Sequence, residues 1–285
     1  MILHDADDLI ETTFKRSPAE VERLIDEHTL AVQHWLSSRS PESTQKQRDG
    51  VWLSSTGESV ARLNLAVGGL FPHDASNDQL DAKISHVQTF FAERDVPWAW
   101  WVSPRAPSRL GERLLAAGLT RRSSLLPAMA APLPAALPAQ RDGLQVWRAA
   151  SLADLHAACT IRRTAFGFPD GVALHYFENM PESWLSEDSP ARLYLAAKEG
   201  EPPGGMGAWI MGAGIPGIYI MATLPEWQRQ GMGVAILRRL LLDAADHSGS
   251  DMIVLTASSK GYGLYRKFGF LHITDYDIYR WEEST

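Results

Sequence analysis

The residues best placed to do chemistry lie between Gly217 and Gly233, where the chain reads Gly-Ile-Tyr-Ile-Met-Ala-Thr-Leu-Pro-Glu-Trp-Gln-Arg-Gln-Gly-Met-Gly. Ile218 to Thr223 is an unbroken apolar run rich in β-formers and predicts a buried strand. Pro225 ends it, because proline cannot donate to a central ladder. Gln228-x-x-Gly231-x-Gly233 then opens a helix whose apolar face is Leu237, Leu240, Leu241 and Ala244. Arg238, Arg239 and Asp243 are expected to face away. The first turn of a helix offers unpaired N–H groups and a dipole that favours negative charge. Glycines at 231 and 233 remove side chains that would hold a phosphate off those amides. Judged by the loop alone, a plain strand-to-helix turn with two convenient glycines is an equal reading.

Downstream, Asp251 to Thr256 predicts a second apolar strand, followed by a short helix ending Tyr262-Gly263-Leu264-Tyr265-Arg266-Lys267-Phe268-Gly269-Phe270. The order strand, Q-x-x-G-x-G, helix, strand, Leu-Tyr-Arg-Lys-Phe-Gly-Phe resembles the GNAT family of acyl-CoA-dependent N-acetyltransferases over about the last half of the chain. The resemblance implies acetyl-CoA as acyl donor and direct transfer to an amine in a ternary complex. It puts the pantetheine amides on the backbone of Met221, Ala222 and Thr223. It puts the pyrophosphate on the amides of Arg229, Gln230, Gly231, Met232, Gly233 and Val234. A backbone N–H near Ala222 or Thr223 would then face the oxyanion. Tyr265 matches the family's general-acid tyrosine, although on its own it reads as a core aromatic.

The chain also departs from the family pattern. Ile253 stands where some relatives carry a glutamate, and Ser258 where many carry an asparagine; Ser258 remains a candidate cofactor contact. Glu226 is a weak candidate base that reads more readily as a solvated turn residue, and the base stays unassigned. Phe166, Phe168, Asp170, Tyr176, Phe177 and Glu178 fall where the family's acceptor site lies, or simply pack helices onto the sheet. No metal-ligand spacing occurs among the nine histidines, so no metal is expected.

Three other patterns carry less. Gly212-x-Gly214-x-x-Gly217 matches a dinucleotide fingerprint, but a strand rather than a helix follows it, so a hairpin turn is expected. Ser43-x-x-Lys46 lacks the partner motifs of an acylation site. Trp98, Trp100 and Trp101 alternate along a strand and read as core. Cys159, the only cysteine, reads as helix packing and allows no internal disulfide, which fits a reducing compartment.

The elements that must position these residues form an α/β (α+β) chain of two GNAT-like domains, each a mixed sheet flanked by helices. Residues 1–126 are expected to be a degenerate copy without the cofactor loop, 127–143 a Pro/Ala-rich linker, and 144–285 the complete domain. Both halves follow one order of strands and helices, and aligning Gly118 with Gly269 puts Leu114 at the place of Tyr265. In the first half, Ser17-Pro18-Ala19-Glu20 starts a helix with Val21, Leu24, Ile25, Val32, Trp35 and Leu36 on one face. Ser37–Gly50 reads as a loop. A net charge of −7 over 285 residues, with 45% hydrophobic and 21% charged residues, makes a nucleic-acid partner improbable and suits a small-molecule or peptide amine. No signal-peptide pattern or membrane span is expected, which points to the cytoplasm. The oligomeric state is not legible. A non-catalytic acyl-CoA sensor and an aminoacyl-tRNA-dependent transferase are the rival readings.

Overall fold

The computed structural model describes residues 3–40, 42–135, 137–139, 142–169, 172, 177 and 180–281. The first half runs α1 (Leu3–Phe14), α2 (Pro18–Ser37), β1 (Thr44–Arg48), β2 (Val51–Ser55), β3 (Leu65–Gly68), α3 (Asn77–Ala92), β4 (Trp98–Val102), α4 (Leu110–Ala116), β5 (Thr120–Arg121) and β6 (Leu126–Pro132). The second runs β7 (Leu144–Arg148), α5 (Leu152–Phe166), α6 (Glu182–Leu185), β8 (Ala191–Lys198), β9 (Gly205–Gly212), β10 (Ile215–Thr223), α7 (Met232–His247), β11 (Met252–Thr256), α8 (Ser259–Lys267) and β12 (Leu271–Trp281). Caps set the main helix starts. Ser17 accepts the Glu20 N–H at the start of α2, and Ser151 and Asp154 form a capping box before α5.

The halves repeat one pattern. β1–β2 and β2–β3 are antiparallel and β3–β4 parallel; β8–β9 and β9–β10 are antiparallel and β10–β11 parallel. α3 connects the first parallel pair and α7 the second, as right-sized crossovers require. All the strands but β5 form one path, β1-β2-β3-β4-β12-β6-β11-β10-β9-β8-β7, with β5 pairing on β12.

That order corrects the expected linker. Residues 127–132 belong to β6, a central strand between β11 and β12. Ala128 and Ala130 face the cluster under α1 and α2, while Met129 and Ala131 face the cluster under α7. Alanines hide here because small side chains fill thin layers on both faces, and composition alone makes them look like linker. Leu133, Ala135 and Leu137 then pack against the α7 side as well. In exchange, β12 from the end of the chain pairs with β4 of the first half through Asp277–Trp281. Each half thus lends its closing strand to the other.

Other differences have plain causes. Thr44–Arg48, expected as loop, is an edge strand; its polar side chains are what an edge needs, and they mask its β character. Asp243, expected to face solvent, is buried and accepts from Trp209 Nε1 at 2.7 Å and Arg192 Nη1 at 3.3 Å. The Gly212–Gly217 segment is a hairpin turn, with Ala213 and Gly214 at φ 48° and 79°. Trp98 and Trp100 are fully buried. Cys159 is buried in the cluster under α5. α2 crosses the sheet from one half to the other, with Val21 and Ile25 over the central strands and Val32 in the α5 cluster.

Candidate active site

A wedge opens between β10 and β11. The two strands pair only at Gly217↔Val254 and Ile218↔Leu255. Beyond that point β11 stays with β6 to Thr256↔Ala128, and β10 stays with β9 to Thr223↔Gly205. The divergence coincides with a bulge in β10 between Tyr219 and Ala222, where Ile220 takes φ 49°. A β-branched residue at positive φ is a costly conformation, and such strain concentrates at functional sites. Met221, Ala222 and Thr223 therefore present to the wedge a backbone edge that β11 does not cover. Thr223 O accepts from Gln228 Nε2 at 3.2 Å, which ties the strand to the loop that follows.

The loop bends through Arg229 at φ 63° and Gly231 at φ 92°, the latter being the N-cap of α7. No side chain caps this helix. The Ala235 N–H is the first to enter the helix ladder, donating to Gly231 O at 3.0 Å. The amides of Arg229, Gln230, Gly231, Met232, Gly233 and Val234 have no protein acceptor among the described residues. Gln230 Nε2 braces the loop on Glu226 O at 2.7 Å. A methyl at Gly233 would meet only Leu264 Cδ2, at an ordinary 3.5 Å, so packing does not demand this glycine. The side chains of Gln228 and Gln230 are the parts of the loop that sequence reasoning assigned no role; their two carbonyl contacts are invisible without the fold.

Across the wedge, α8 starts at Ser258, whose Oγ accepts the Gly261 N–H at 3.2 Å. Ser258 is thus a helix cap first. Tyr265 lies one turn past Gly261, 7% exposed, its ring edge-on to Phe270 at 5.8 Å. Burial pushes its hydroxyl up to about 12, so it stays protonated at neutral pH. Glu226 is exposed on a 3₁₀ turn, Pro225–Trp227, and Ile253 is buried.

On the opposite face, Phe168, Val172, Phe177 and Trp184 pack with Ala222 of β10 and with Val60 and Leu63 of the first half. Arg62 Nη1 donates to Phe166 O at 2.8 Å, and its guanidinium covers the Phe168 ring at 4.6 Å. Arg162 is buried against Phe168 and Phe177, and desolvation lowers it to about 9. Asp170, Tyr176 and Glu178 lie outside the described residues. Among the described residues no group of side chains could hold a metal ion, and no helix is long and apolar enough to cross a membrane.

An open helix N-terminus thus lies beside a strained, splayed strand pair. Residues 189–271 match the acetyltransferase (GNAT) domain model, whose family supports acyl-CoA-dependent acyl transfer in general. The fold is that of GCN5-related N-acetyltransferases along most of the chain. A GCN5-related N-acetyltransferase from Kribbella flavida superposes with TM-score 0.69 at 19% identity, covering 91% of this chain and 96% of that one. One from Sphaerobacter thermophilus gives 0.62 at 17%, covering 94% of each chain. A tandem GNAT protein from the clavulanic acid biosynthesis pathway gives 0.58 at 13%, covering 94% and 95%. A search of the curated proteins found no match.

Proposed function

We propose that the protein is an acetyl-CoA-dependent N-acetyltransferase, with the second half holding the donor and the first half a GNAT-like unit that holds none. The carrying observation is the set of six unengaged amides at residues 229–234. They suit a diphosphate, because backbone donors at a helix N-terminus bind anions without a metal. The open edge of Met221, Ala222 and Thr223 suits the pantetheine amides, with one N–H there available to the carbonyl oxygen as charge builds on it. Attack by a neutral amine forms the C–N bond, and the C–S bond breaks with the pair on sulfur. Tyr265 then gives its proton to the leaving thiolate, and the N–H proton that the nitrogen sheds as the amide forms makes up that loss. Ser258, as a helix cap, adds at most a second contact to the donor.

The first half differs where it counts. α3 is closed by a capping box, Gln79 N–H to Ser76 Oγ at 3.3 Å and Ser76 N–H to Gln79 Oε1 at 2.8 Å. β3 and β4 stay paired over four positions, with no wedge. Its role is to supply Val60, Leu63, Arg62 and α2 to the acceptor side. The acceptor is a small-molecule or peptide amine.

The test is release of free CoA from acetyl-CoA with a panel of primary amines, alongside equilibrium binding of CoA. Turnover with an amine supports the reading. Binding without turnover on any amine favours an acyl-CoA sensor, and absence of CoA binding removes both.

A further inference from the structure

A second concave site lies on the first half, a crevice of about 350 Å³ between α3 and the β1–β2 hairpin. Asp49 and Gly50 turn the hairpin at φ 51° and 77°, and the register sets Lys46 opposite Leu53 and Arg48 opposite Val51. Residues two apart share a strand face, and these four line the crevice together. Lys83, His86, Val87 and Phe90 meet them from α3 at i, i+3, i+4 and i+7. The floor is apolar: Val51, Leu53, Phe71, Val87 and Phe90 are all buried. The rim is charged and mostly of one sign. Lys46, Arg48 and Lys83 stand against a single carboxylate, Asp49, on a chain whose net charge is −7. Asp49 Oδ2 lies 3.4 Å from Arg48 Nε and 3.9 Å from Lys83 Nζ. Arg48 Nη1 reaches across to α3 and donates to His86 Nε2 at 2.9 Å, which puts the imidazole proton on Nδ1. Lys83 Nζ sits 5.0 Å from the centre of the Phe71 ring. Lys46 has no ion pair among the described residues. Packing does not call for these charges: β8, which holds the place of β1 in the second half, turns Tyr194 and Ala196 into the cluster under α7.

We propose that this crevice binds a monocarboxylate with an apolar body, of the size of a medium-chain fatty acid. The carboxylate sits among Lys46, Arg48 and Lys83, and the hydrocarbon covers the floor of Val51, Leu53, Phe71, Val87 and Phe90. Cations come from both walls, β1 and α3, so an anion between them gains charge-assisted hydrogen bonds on two sides. The floor supplies the larger share of the affinity by taking hydrocarbon out of water. A volume of about 350 Å³ is at the small end for ligand cavities, which suits one short chain and excludes a nucleotide or a folded partner. An ammonium group in the same place would meet three like charges against one carboxylate. In the sheet order β3, β4, β12, β6 and β11 all lie between β2 and β10. The crevice is therefore separate from the wedge of the second half, and the proposal does not depend on the acyl-transfer reading.

The test is isothermal titration of the full chain at pH 7.5 with octanoate, acetate, octanol and octylamine. Octanoate is expected to bind saturably with a Kd of about 1 mM or tighter. Acetate, which has the charge without the chain, and octanol, which has the chain without the charge, should each bind at least about 10-fold more weakly. Octylamine should show no saturable binding. Lys46 and Arg48 are exposed on an edge strand, so Lys46→Glu with Arg48→Glu should melt as wild type does and lose about 10-fold or more in octanoate affinity. Lys46→Arg with Arg48→Lys should keep it. Saturating CoA should leave octanoate binding unchanged. Absence of saturable octanoate binding, octanol or octylamine binding as tightly as octanoate, undiminished affinity in the folded reversed pair, or displacement of octanoate by CoA overturns the proposal. Should the reversed pair not fold, the ligand series and the CoA competition on wild-type protein decide it.

Discussion

The Tyr265 ring lies over Gly261, one turn earlier in α8: a methyl added at Gly261 would sit 2.9 Å from Tyr265 Cε2. Ring carbons do not tolerate that approach, so Gly261→Ala must turn the tyrosine or shift its helix. On the proposed mechanism this moves the proton donor from its place and leaves the loop at 229–234 untouched. The expected result is a fall in kcat of about 10-fold to 100-fold, similar to Tyr265→Phe, with CoA affinity within about twofold of wild type. Thiol release and isothermal titration read the two quantities. Unchanged kcat in Gly261→Ala would separate Tyr265 from the chemistry.

Gly233 separates stability from binding. Its added methyl makes only an ordinary contact with Leu264 at 3.5 Å. Gly233→Ala is therefore expected to keep or raise stability, by up to about 1 kcal/mol, since alanine is the better helix former. The same methyl intrudes on a diphosphate held by the neighbouring amides, and CoA affinity should drop about 10-fold or more. Gly231→Ala should lose both, because its φ of 92° strains any side chain. Thermal melts with CoA titrations distinguish the two glycines; a Gly233→Ala protein that binds CoA normally would mean the phosphates lie elsewhere.

The strand, loop and helix start of the candidate donor site were legible because their signal is local. Gln228-x-x-Gly231-x-Gly233 after an apolar run states a loop and a helix start within a few residues, and Tyr265 follows at a recognisable distance. What was not legible depends on partners far away in sequence. The register shift that frees Met221–Thr223 needs β9 beside β10. Ala128–Ala131 become a central strand only because β11 and β12 lie on either side. Asp26 looks like an ordinary helix-surface polar residue until Tyr276, 250 positions later, covers it.

The strand exchange makes the halves interdependent. A chain of residues 144–285 lacks β6, so β11 keeps one bare edge, and β12 loses β4, β5 and β6 together. Unpaired central edges aggregate. That fragment is expected to be insoluble alone and to recover CoA binding when co-expressed with residues 1–143. A soluble, two-state 144–285 fragment that binds CoA would show that the borrowed strand is dispensable.

His28 should make the fold acid-labile above the range where carboxylates usually act. It is 1% exposed, its Nδ1 lies 3.1 Å from Gly212 O and 2.9 Å from Ile215 O, and its Nε2 has no partner against Gly217. Burial lowers its pKa from 6.5 to about 4. Between those values the unfolded chain binds a proton that the folded chain refuses, so stability falls as pH falls through that window. The full loss is roughly 3 kcal/mol. Asp26 works against this. Its carboxyl is raised, so the folded state binds that proton more readily and gains stability at low pH, which it loses as pH rises through the folded value. His28→Asn keeps an N–H near the Nδ1 position and removes the titration. Urea midpoints from pH 7.5 to 4 should therefore slope less steeply in His28→Asn than in wild type. Parallel slopes would mean that the unpartnered imidazole finds a proton and an acceptor inside the fold.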